Sequence, residues 1–240
     1  MAKIYFEKKI IGETLDFFQK NKERKILNFL NQNDVYNFGK EKIFRKALER
    51  EENVNFIDGF VTSKFLSLTN LKRVSRTIGP EFTKRIISSP EISKNKKHFF
   101  IGPGKEDLKK LQKKFPHLIY FENHEPPFIQ TLEFPEKEID LISKRINKFK
   151  PDIVWVGIGS PKQNILSNSL FDKTNAKYFV NIGAALDFLL GKKKEAPLFF
   201  RKTGIEWLYR FVTDFKYSKK KVWRSLVAVF YLPKYVRLKK

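Results

Sequence analysis

The chain has 240 residues, a formal net charge of +23 and 25 Phe, so it can bury a sizeable core and a disordered chain is excluded. It has no Cys, which excludes disulfides and thiolate metal sites, and its three His stand at no ligand spacing, so no metal site is expected. We recognise no signal peptide, and no apolar run reaches the roughly 18 residues of a membrane span. A cytoplasmic protein is therefore expected.

The positive charge is unevenly distributed. Residues 191–240 carry 15 Lys and Arg against 3 Asp and Glu, whereas residues 1–190 carry 34 against 23. Such a concentrated basic segment is typical of proteins that bind nucleic acid and of enzymes that dock on anionic lipid. Because the composition changes at Gly191, we predict a core in 1–190 and a basic, helical, amphipathic appendage in 191–240.

The apolar pattern predicts strands and helices that alternate along the core. Strands are expected in the first part of 24–35 and in 54–57, 97–101, 118–121, 152–158 and 177–181. The second part of 24–35 is expected to be a polar loop. The helices are expected in 40–50, in 60–90 with a break at Gly79-Pro80, in 105–115, in 136–149, after Pro161 and in 183–190. No parallel-sheet strand is expected beyond Gly191. This alternation predicts an α/β fold with a Rossmann-like, doubly wound, mostly parallel sheet.

The stretch 151–163, PDIVWVGIGSPKQ, is the most informative one. Its apolar run predicts a strand buried on both faces, and its two glycines predict a tight turn. Ser160 can cap a helix that has Pro161 in its first position. Such a junction directs free amides and a positive helix end into the crevice, which suits a phosphate, and Lys162 adds a charge. An ordinary capped turn is the alternative.

Three other segments that follow predicted strands contain candidate site residues. Asp58 lies either at the rim where α/β sites assemble or at the cap of the next helix. Gly102 and Gly104 form only part of a dinucleotide fingerprint, because Asp107 stands in the third glycine position, so no nicotinamide cofactor is expected. His124 falls in a predicted loop, where it either contacts a ligand or is solvated.

Several short blocks, taken together in order and spacing, resemble the signature of the WecG/TagA/CpsF family, glycosyltransferase family 26. They are LNQND (30–34), IDG (57–59), RTIGPEF (76–82), FFIGPG (99–104), NHEPPF (123–128), DIVWVGIGSPKQ (152–163), NIGAALDFLLGKKKEAP (181–197) and RKTGIEWLYRF (201–211). The resemblance covers most of the chain.

This resemblance implies transfer of an N-acetylmannosamine-type sugar, with inversion, from a UDP donor to a polyprenyl-diphosphate-linked amino sugar, at the inner face of a bacterial membrane. It implies that Asp58 is the catalytic base. It implies a substrate pocket formed by Asn31, Gly157, Gly159, Ser160, Pro161, Lys162, Gln163, Gly183 and Asp187. Family members use arginines of the appendage to complete the site, and Arg201, Arg210 and Arg224 are the candidates here, since a guanidinium grips phosphate oxygens bidentately.

The chain departs from the family pattern at four positions: Phe29 replaces a usual Thr, Asn164 a Glu, Leu186 a Phe and Glu195 an Arg. These departures keep open a catalytically impaired scaffold protein. The basic segment keeps open a nucleic-acid-binding protein, but no known nucleic-acid motif appears, so we expect no nucleic-acid partner. The chain also lacks the Asp-x-Asp motif with which many sugar-nucleotide enzymes hold a metal. We therefore expect no cofactor and no metal, and the sequence leaves a homo-oligomer open.

The appendage has apolar residues at helical spacing. Trp207, Leu208, Phe211, Val212 and Phe215 would form one apolar face, which either packs on the core or faces lipid. A second apolar stretch, 225–232, is too short to span a membrane and has basic residues on both sides. We therefore expect residues 191–240 to dock the protein peripherally on anionic membrane.

Overall fold

The computed structural model describes residues 2–7, 20–194, 196–197, 200 and 215–239, with side chains of the last segment from residue 221 onward. Its strands are Ile4–Phe6 (β1), Lys25–Leu30 (β2), Asn53–Ile57 (β3), His98–Ile101 (β4), Phe121–His124 (β5), Ile153–Val156 (β6), Tyr178–Asn181 (β7) and Val236–Leu238 (β8). They form one sheet in the order β5-β4-β6-β7-β2-β3-β1-β8, and every pairing is parallel.

Helices cover both faces of this sheet. They are Gln32–Lys40 (α1), Lys42–Leu48 (α2), Phe60–Thr69 (α3), Gly79–Ser88 (α4), Pro90–Ser93 (α5), Lys105–Lys114 (α6), Glu136–Phe149 (α7), Lys162–Lys173 (α8), Ala185–Leu189 (α9) and Phe215–Tyr235 (α10). Side chains alternate between the faces along each strand. In β2, Leu27 and Phe29 pack with α4, α6 and α9, whereas Ile26 and Leu30 pack with helices of the opposite face. The doubly wound α/β fold is therefore confirmed.

One face of the sheet is divided by a buried polar network. Asn28, in the middle of β2, donates to Asn53 and Asn55 of β3, at 2.8 and 2.9 Å between nitrogen and oxygen. Its side-chain oxygen accepts from Asn164 of α8 at 2.8 Å and from Asn181 of β7 at 2.7 Å. Buried amides must be paired in this way, since an unpaired polar group inside a protein is costly. The network holds α8 over the strands that carry the candidate site.

Most predicted elements are present, and the two largest differences from the prediction concern α1 and β5. The expected polar loop after β2 is helix α1, because Asn31 and Asp34 form a capping box that starts a helix at Gln32. Strand β5 begins three residues later than predicted, since its pairing with β4 runs from Phe121 to His124. Helix α7 has the predicted bounds.

The C-terminal segment returns to the sheet. Strand β8 pairs with β1, although no strand was expected beyond Gly191, and that expectation is wrong. Three residues at a sheet edge carry too little pattern to predict a strand. Helix α10 packs on α1, and its Ala228, Leu232 and Tyr235 are buried there. The division of the chain at residue 190 stays a prediction.

Candidate functional site

The carboxyl ends of β6, β7, β2 and β3 lie side by side, and their loops form one crevice. The turns after β4, β6 and β7 approach one another closely, so that a side chain at Gly102 or Gly157 would make an unusually tight contact. A Cβ at Gly102 would lie 3.0 Å from the Gly157 carbonyl oxygen, and one at Gly157 would lie 3.2 Å from the Gly183 carbonyl oxygen. Gly102 and Gly183 also have positive φ angles of 120° and 52°. Such an edge of exposed backbone is where α/β folds bind ligands.

The turn between β6 and α8 differs in detail from the predicted one. Helix α8 begins at Lys162 with Pro161 as its N-cap, and no side chain caps it. The expectation that Ser160 caps this helix is therefore wrong, because the Ser160 hydroxyl donates instead to the Asp34 carboxylate of α1. This hydrogen bond joins the turn after β6 to the first turn of α1, 126 residues away in the sequence.

Gln163 joins the loops that follow β6 and β7. Its side-chain oxygen accepts hydrogen bonds from the amide nitrogens of Gly159, at 3.2 Å, and Gly183, at 3.0 Å. The side chain itself is 5% exposed. Gln163 therefore fixes the shape of both glycine turns.

The Lys162 ammonium is directed toward the loop after β5. It donates to the carbonyl oxygen of Ile129 and lies 5.3 Å from the ring centroid of Phe128. The predicted charge is thus at the start of α8, but it is hydrogen-bonded to a neighbouring loop.

Asp58 follows β3, as predicted, and its side chain is 23% exposed. The capping alternative is wrong, because Gly59 and not Asp58 is the N-cap of α3. Arg76 donates from Nε to the main-chain oxygen of Asp58 at 2.6 Å, and its Nη2 is 4.0 Å from Asp58 Oδ1. The carboxylate therefore stands at the rim beside a guanidinium that orients its main chain.

Asn31 is brought next to Asp58 by the pairing of β2 with β3. A Cβ at Gly59 would lie 3.0 Å from the Asn31 Cα. The Asn31 side-chain oxygen accepts from the Asn33 main-chain N–H at 2.9 Å, and the Asn31 main-chain N–H donates to Asp34 Oδ2 at 2.8 Å. Asn31 therefore occupies the expected rim position while it caps α1.

Asp34 was not singled out from the sequence. It is 2% exposed, and burial raises the pKa of its carboxyl to about 6. Hydrogen bonds from the Asn31 amide and the Ser160 hydroxyl lower the pKa in part, as does the positive charge of Lys221 on α10. Asp34 and Arg76 both lie in sequence blocks on which the family resemblance rests. A charged residue inside such a block was the signal that could have identified both of them as site residues.

The comparison with protein families matches nearly the whole chain. The model of the "Glycosyl transferase WecG/TagA/CpsF family" covers residues 5–239. The chain belongs to this family.

Curated relatives bear one name, N-acetylglucosaminyldiphosphoundecaprenol N-acetyl-beta-D-mannosaminyltransferase. One, from Staphylococcus aureus strain MRSA252, is 34% identical over 106 residues, which are 44% of this chain and 39% of the relative. Another, from Staphylococcus aureus strain COL, is 31% identical over 126 residues, which are 51% of this chain and 46% of the relative. The chain thus matches less than half of the length of each of these relatives.

In this member of the family, the side chains of two predicted pocket residues have partners within the protein. His124 is the last residue of β5 rather than a loop residue, and it is buried between Glu138, at 2.6 Å from Nε2, and Arg145, at 3.1 Å from Nδ1. The solvated-loop alternative is therefore wrong, and contact of His124 with a ligand stays a prediction. Asp187 of α9 pairs with Lys193 at 2.8 Å.

Departures from the family pattern are accommodated in the core where the structure describes them. Phe29 packs between Phe56 and Phe82, with ring centroids 5.4 and 5.1 Å away. Leu186 is buried in the same cluster. Asn164 donates to the polar network, but its own side-chain oxygen has no hydrogen-bond partner.

Much of the predicted appendage falls outside the described residues, including Arg201, Arg210, Glu195 and the side chains of the expected 207–215 face. Arg224 is exposed on α10, and its guanidinium lies 5.5 Å from the Tyr36 ring centroid of α1. Among the residues described, no helix is long and apolar enough to cross a bilayer, and no three His, Cys, Asp or Glu side chains converge as ligands.

Proposed function

We propose that the chain is an inverting glycosyltransferase that moves an N-acetylmannosamine-type sugar from a UDP donor to a polyprenyl-diphosphate-linked amino sugar, in the synthesis of a bacterial cell-surface polysaccharide. Membership of the family and the activity for which the Staphylococcus aureus relatives are named support this proposal. The observation that carries it is the position of Asp58, a rim carboxylate beside Asn31 at the edge of the sheet where the glycine turns after β6 and β7 also lie.

The proposed reaction uses these groups in one displacement. Asp58 accepts the proton of the acceptor's hydroxyl as its oxygen attacks the anomeric carbon of the donor. The bond from that carbon to the UDP oxygen breaks on the opposite face, so the configuration inverts and UDP leaves with the bonding electrons. The amides of the turn after β6 and the N-terminal end of α8 stabilise the charge that develops on the diphosphate.

We further propose that the protein acts at the inner face of the cell membrane, docked peripherally through α10. Trp223, Leu226 and Phe230, which are 66%, 56% and 82% exposed, recur at helical spacing on this helix. Lys221 and Arg224 are exposed beside them. Burial of apolar side chains and attraction of basic residues to anionic headgroups both favour this orientation.

Release of UDP tests the proposal. The full chain is incubated with UDP-N-acetylmannosamine, UDP-N-acetylglucosamine and their uronic acids, each with a short-chain polyprenyl-diphosphate N-acetylglucosamine. We expect acceptor-dependent UDP release with a mannosamine-type donor, and its loss in Asp58→Asn. Binding of donor and acceptor without turnover would instead support a scaffold function.

A further inference from the structure

Helix α3 ends in a turn that exposes two leucines. Leu68 is 76% exposed and Leu71 is 96% exposed, whereas Leu66 of the same helix is buried. The Lys72 amide bonds to the Ser67 carbonyl oxygen at 3.2 Å, and the Leu71 amide bonds to the Leu68 carbonyl oxygen at 3.4 Å. These two bonds are the Schellman arrangement, in which the helix ends with a residue in the left-handed conformation.

Leu71 occupies the position of this arrangement that glycine usually fills. Its φ angle is +49°, a region that a leucine adopts only at a cost in backbone energy. The side chain gains nothing in exchange within the described structure, because nearly all of it is exposed to water. A glycine here would form the same turn without strain and without an exposed apolar side chain.

The surroundings of this turn are basic. Between Gly59 and Pro80 the sequence contains no Asp or Glu. Lys64, Lys72 and Arg73 are all exposed around the two leucines. Apolar side chains framed by cations match the boundary of an anionic bilayer, where acyl chains lie below negative headgroups.

The turn also lies on the flank of the molecule that carries α10. Helix α3 packs beside both α10 and β8. It starts next to Asp58 at the carboxyl edge of the sheet and runs for ten residues, about 15 Å at the usual helical rise, so Leu71 lies toward the opposite edge. Trp223 is near the carboxyl edge, since Ser225 accepts a hydrogen bond from Asn33 at the start of α1.

We propose that Leu68 and Leu71 insert into an anionic lipid surface and form a second membrane contact of the catalytic core, apart from α10. This inference rests on the proposed membrane association. Contacts at both ends of one flank fix the tilt of the protein on the bilayer, which a single helix would leave free. The tilt decides how the crevice meets a lipid-linked acceptor.

Single-cysteine labelling tests the contact directly, since the chain has no Cys. Leu71→Cys, Trp223→Cys and Ile119→Cys are each labelled with an environment-sensitive fluorophore and mixed with phosphatidylcholine vesicles, with or without phosphatidylglycerol. Ile119 is the matched control, an apolar residue that is 52% exposed in the segment before β5. We expect a blue shift at 71 with anionic vesicles only, and none at 119.

The outcomes separate this inference from the proposed function. A shift at 223 without one at 71 overturns the second contact and leaves docking by α10 intact. A shift at neither position overturns membrane docking as a whole, while UDP release still tests the chemistry. A shift at 71 that grows with protein concentration in the absence of lipid overturns the lipid assignment in favour of a second copy of the chain.

A glycine substitution separates lipid contact from a structural role. Leu71→Gly should lower the affinity for anionic vesicles, measured by sedimentation, by about tenfold, because the variant has no leucine side chain to transfer from water into the bilayer at this position. It should leave the Tm unchanged or raise it by about 1–3 °C, since glycine relieves the strain. Leu71→Met should keep vesicle binding, and Ile119→Gln is the surface control. A lower Tm with unchanged vesicle binding in Leu71→Gly would overturn the proposal.

Discussion

At the scale of single residues, Asp58 is the carboxylate on which the proposed chemistry depends. Asp58→Asn keeps the shape of the side chain and removes the base, so kcat should fall by about 10²–10⁴ while the melting curve stays unchanged. The matched control is Asp140→Asn, an exposed carboxylate on α7 that pairs with Lys173. UDP release and circular dichroism measure both effects, and near-normal kcat in Asp58→Asn would contradict the assignment.

Asp34 gives a prediction for stability as a function of pH. Burial raises the pKa of its carboxyl from the ordinary 3.8 to about 6, so the folded protein binds this proton more tightly than the unfolded chain does. The stability that it contributes is complete below about pH 4 and is lost as pH rises through about 6, a loss of about 3 kcal/mol at most.

Asp34→Asn should therefore be more stable than the native chain at pH 8 and nearly equal to it at pH 4. An Asn can still accept from the Asn31 amide and donate to Ser160. Urea denaturation of both proteins at the two pH values measures the difference, and Asp140→Asn is again the control. Equal stability differences at both pH values would show that the Asp34 carboxyl does not titrate in this range.

At the scale of elements, the junction between β6 and α8 depends on Gln163. Gln163→Ala deprives the amides of Gly159 and Gly183 of their acceptor, so unfolding free energy should fall by about 1–3 kcal/mol. The displaced turns should lower kcat/KM for the donor about tenfold to hundredfold. Gln112→Ala, on the exposed face of α6, is the control. Unchanged donor kinetics in Gln163→Ala would show that these turns do not position the donor.

Helix α10 combines a buried face with an exposed one. A truncation after Gly191 would uncover Val35 and Phe38 of α1, so it would disturb the core together with any docking surface. Substitution of exposed residues is the sharper test. Trp223→Ser with Phe230→Ser should reduce affinity for anionic vesicles about tenfold or more, with an unchanged Tm. Unchanged vesicle affinity in this double variant would contradict docking through α10. If the native chain binds DNA at physiological salt and does not bind vesicles, the result would favour a nucleic-acid-binding protein.

At the scale of the whole molecule, the proposed transfer relies on Lys and Arg side chains and backbone amides, and not on a metal ion, to stabilise the leaving diphosphate. The motivation is the absence of an Asp-x-Asp pair and of Cys from the sequence. Turnover should therefore survive EDTA. Loss of UDP release in EDTA that Mg²⁺ or Mn²⁺ restores would show that the site recruits a metal.

The sequence by itself determined the features that depend on neighbours in the chain. The near-continuous apolar run of β6 is buried on both faces, as its pattern predicts, because a central parallel strand has no polar face. The position of Asp58 after β3 was likewise readable, since strand and turn signals are local.

Tertiary structure alone decided the remaining features. The pairing of β8 with β1 and the hydrogen bonds from Ser160 to Asp34 and from Lys162 to Ile129 join segments that are distant in the sequence. A side chain's partner there depends on which loops the sheet order brings together. The burial that raises the Asp34 pKa arises in the same way, because desolvation is a property of the packed neighbourhood and not of the residue.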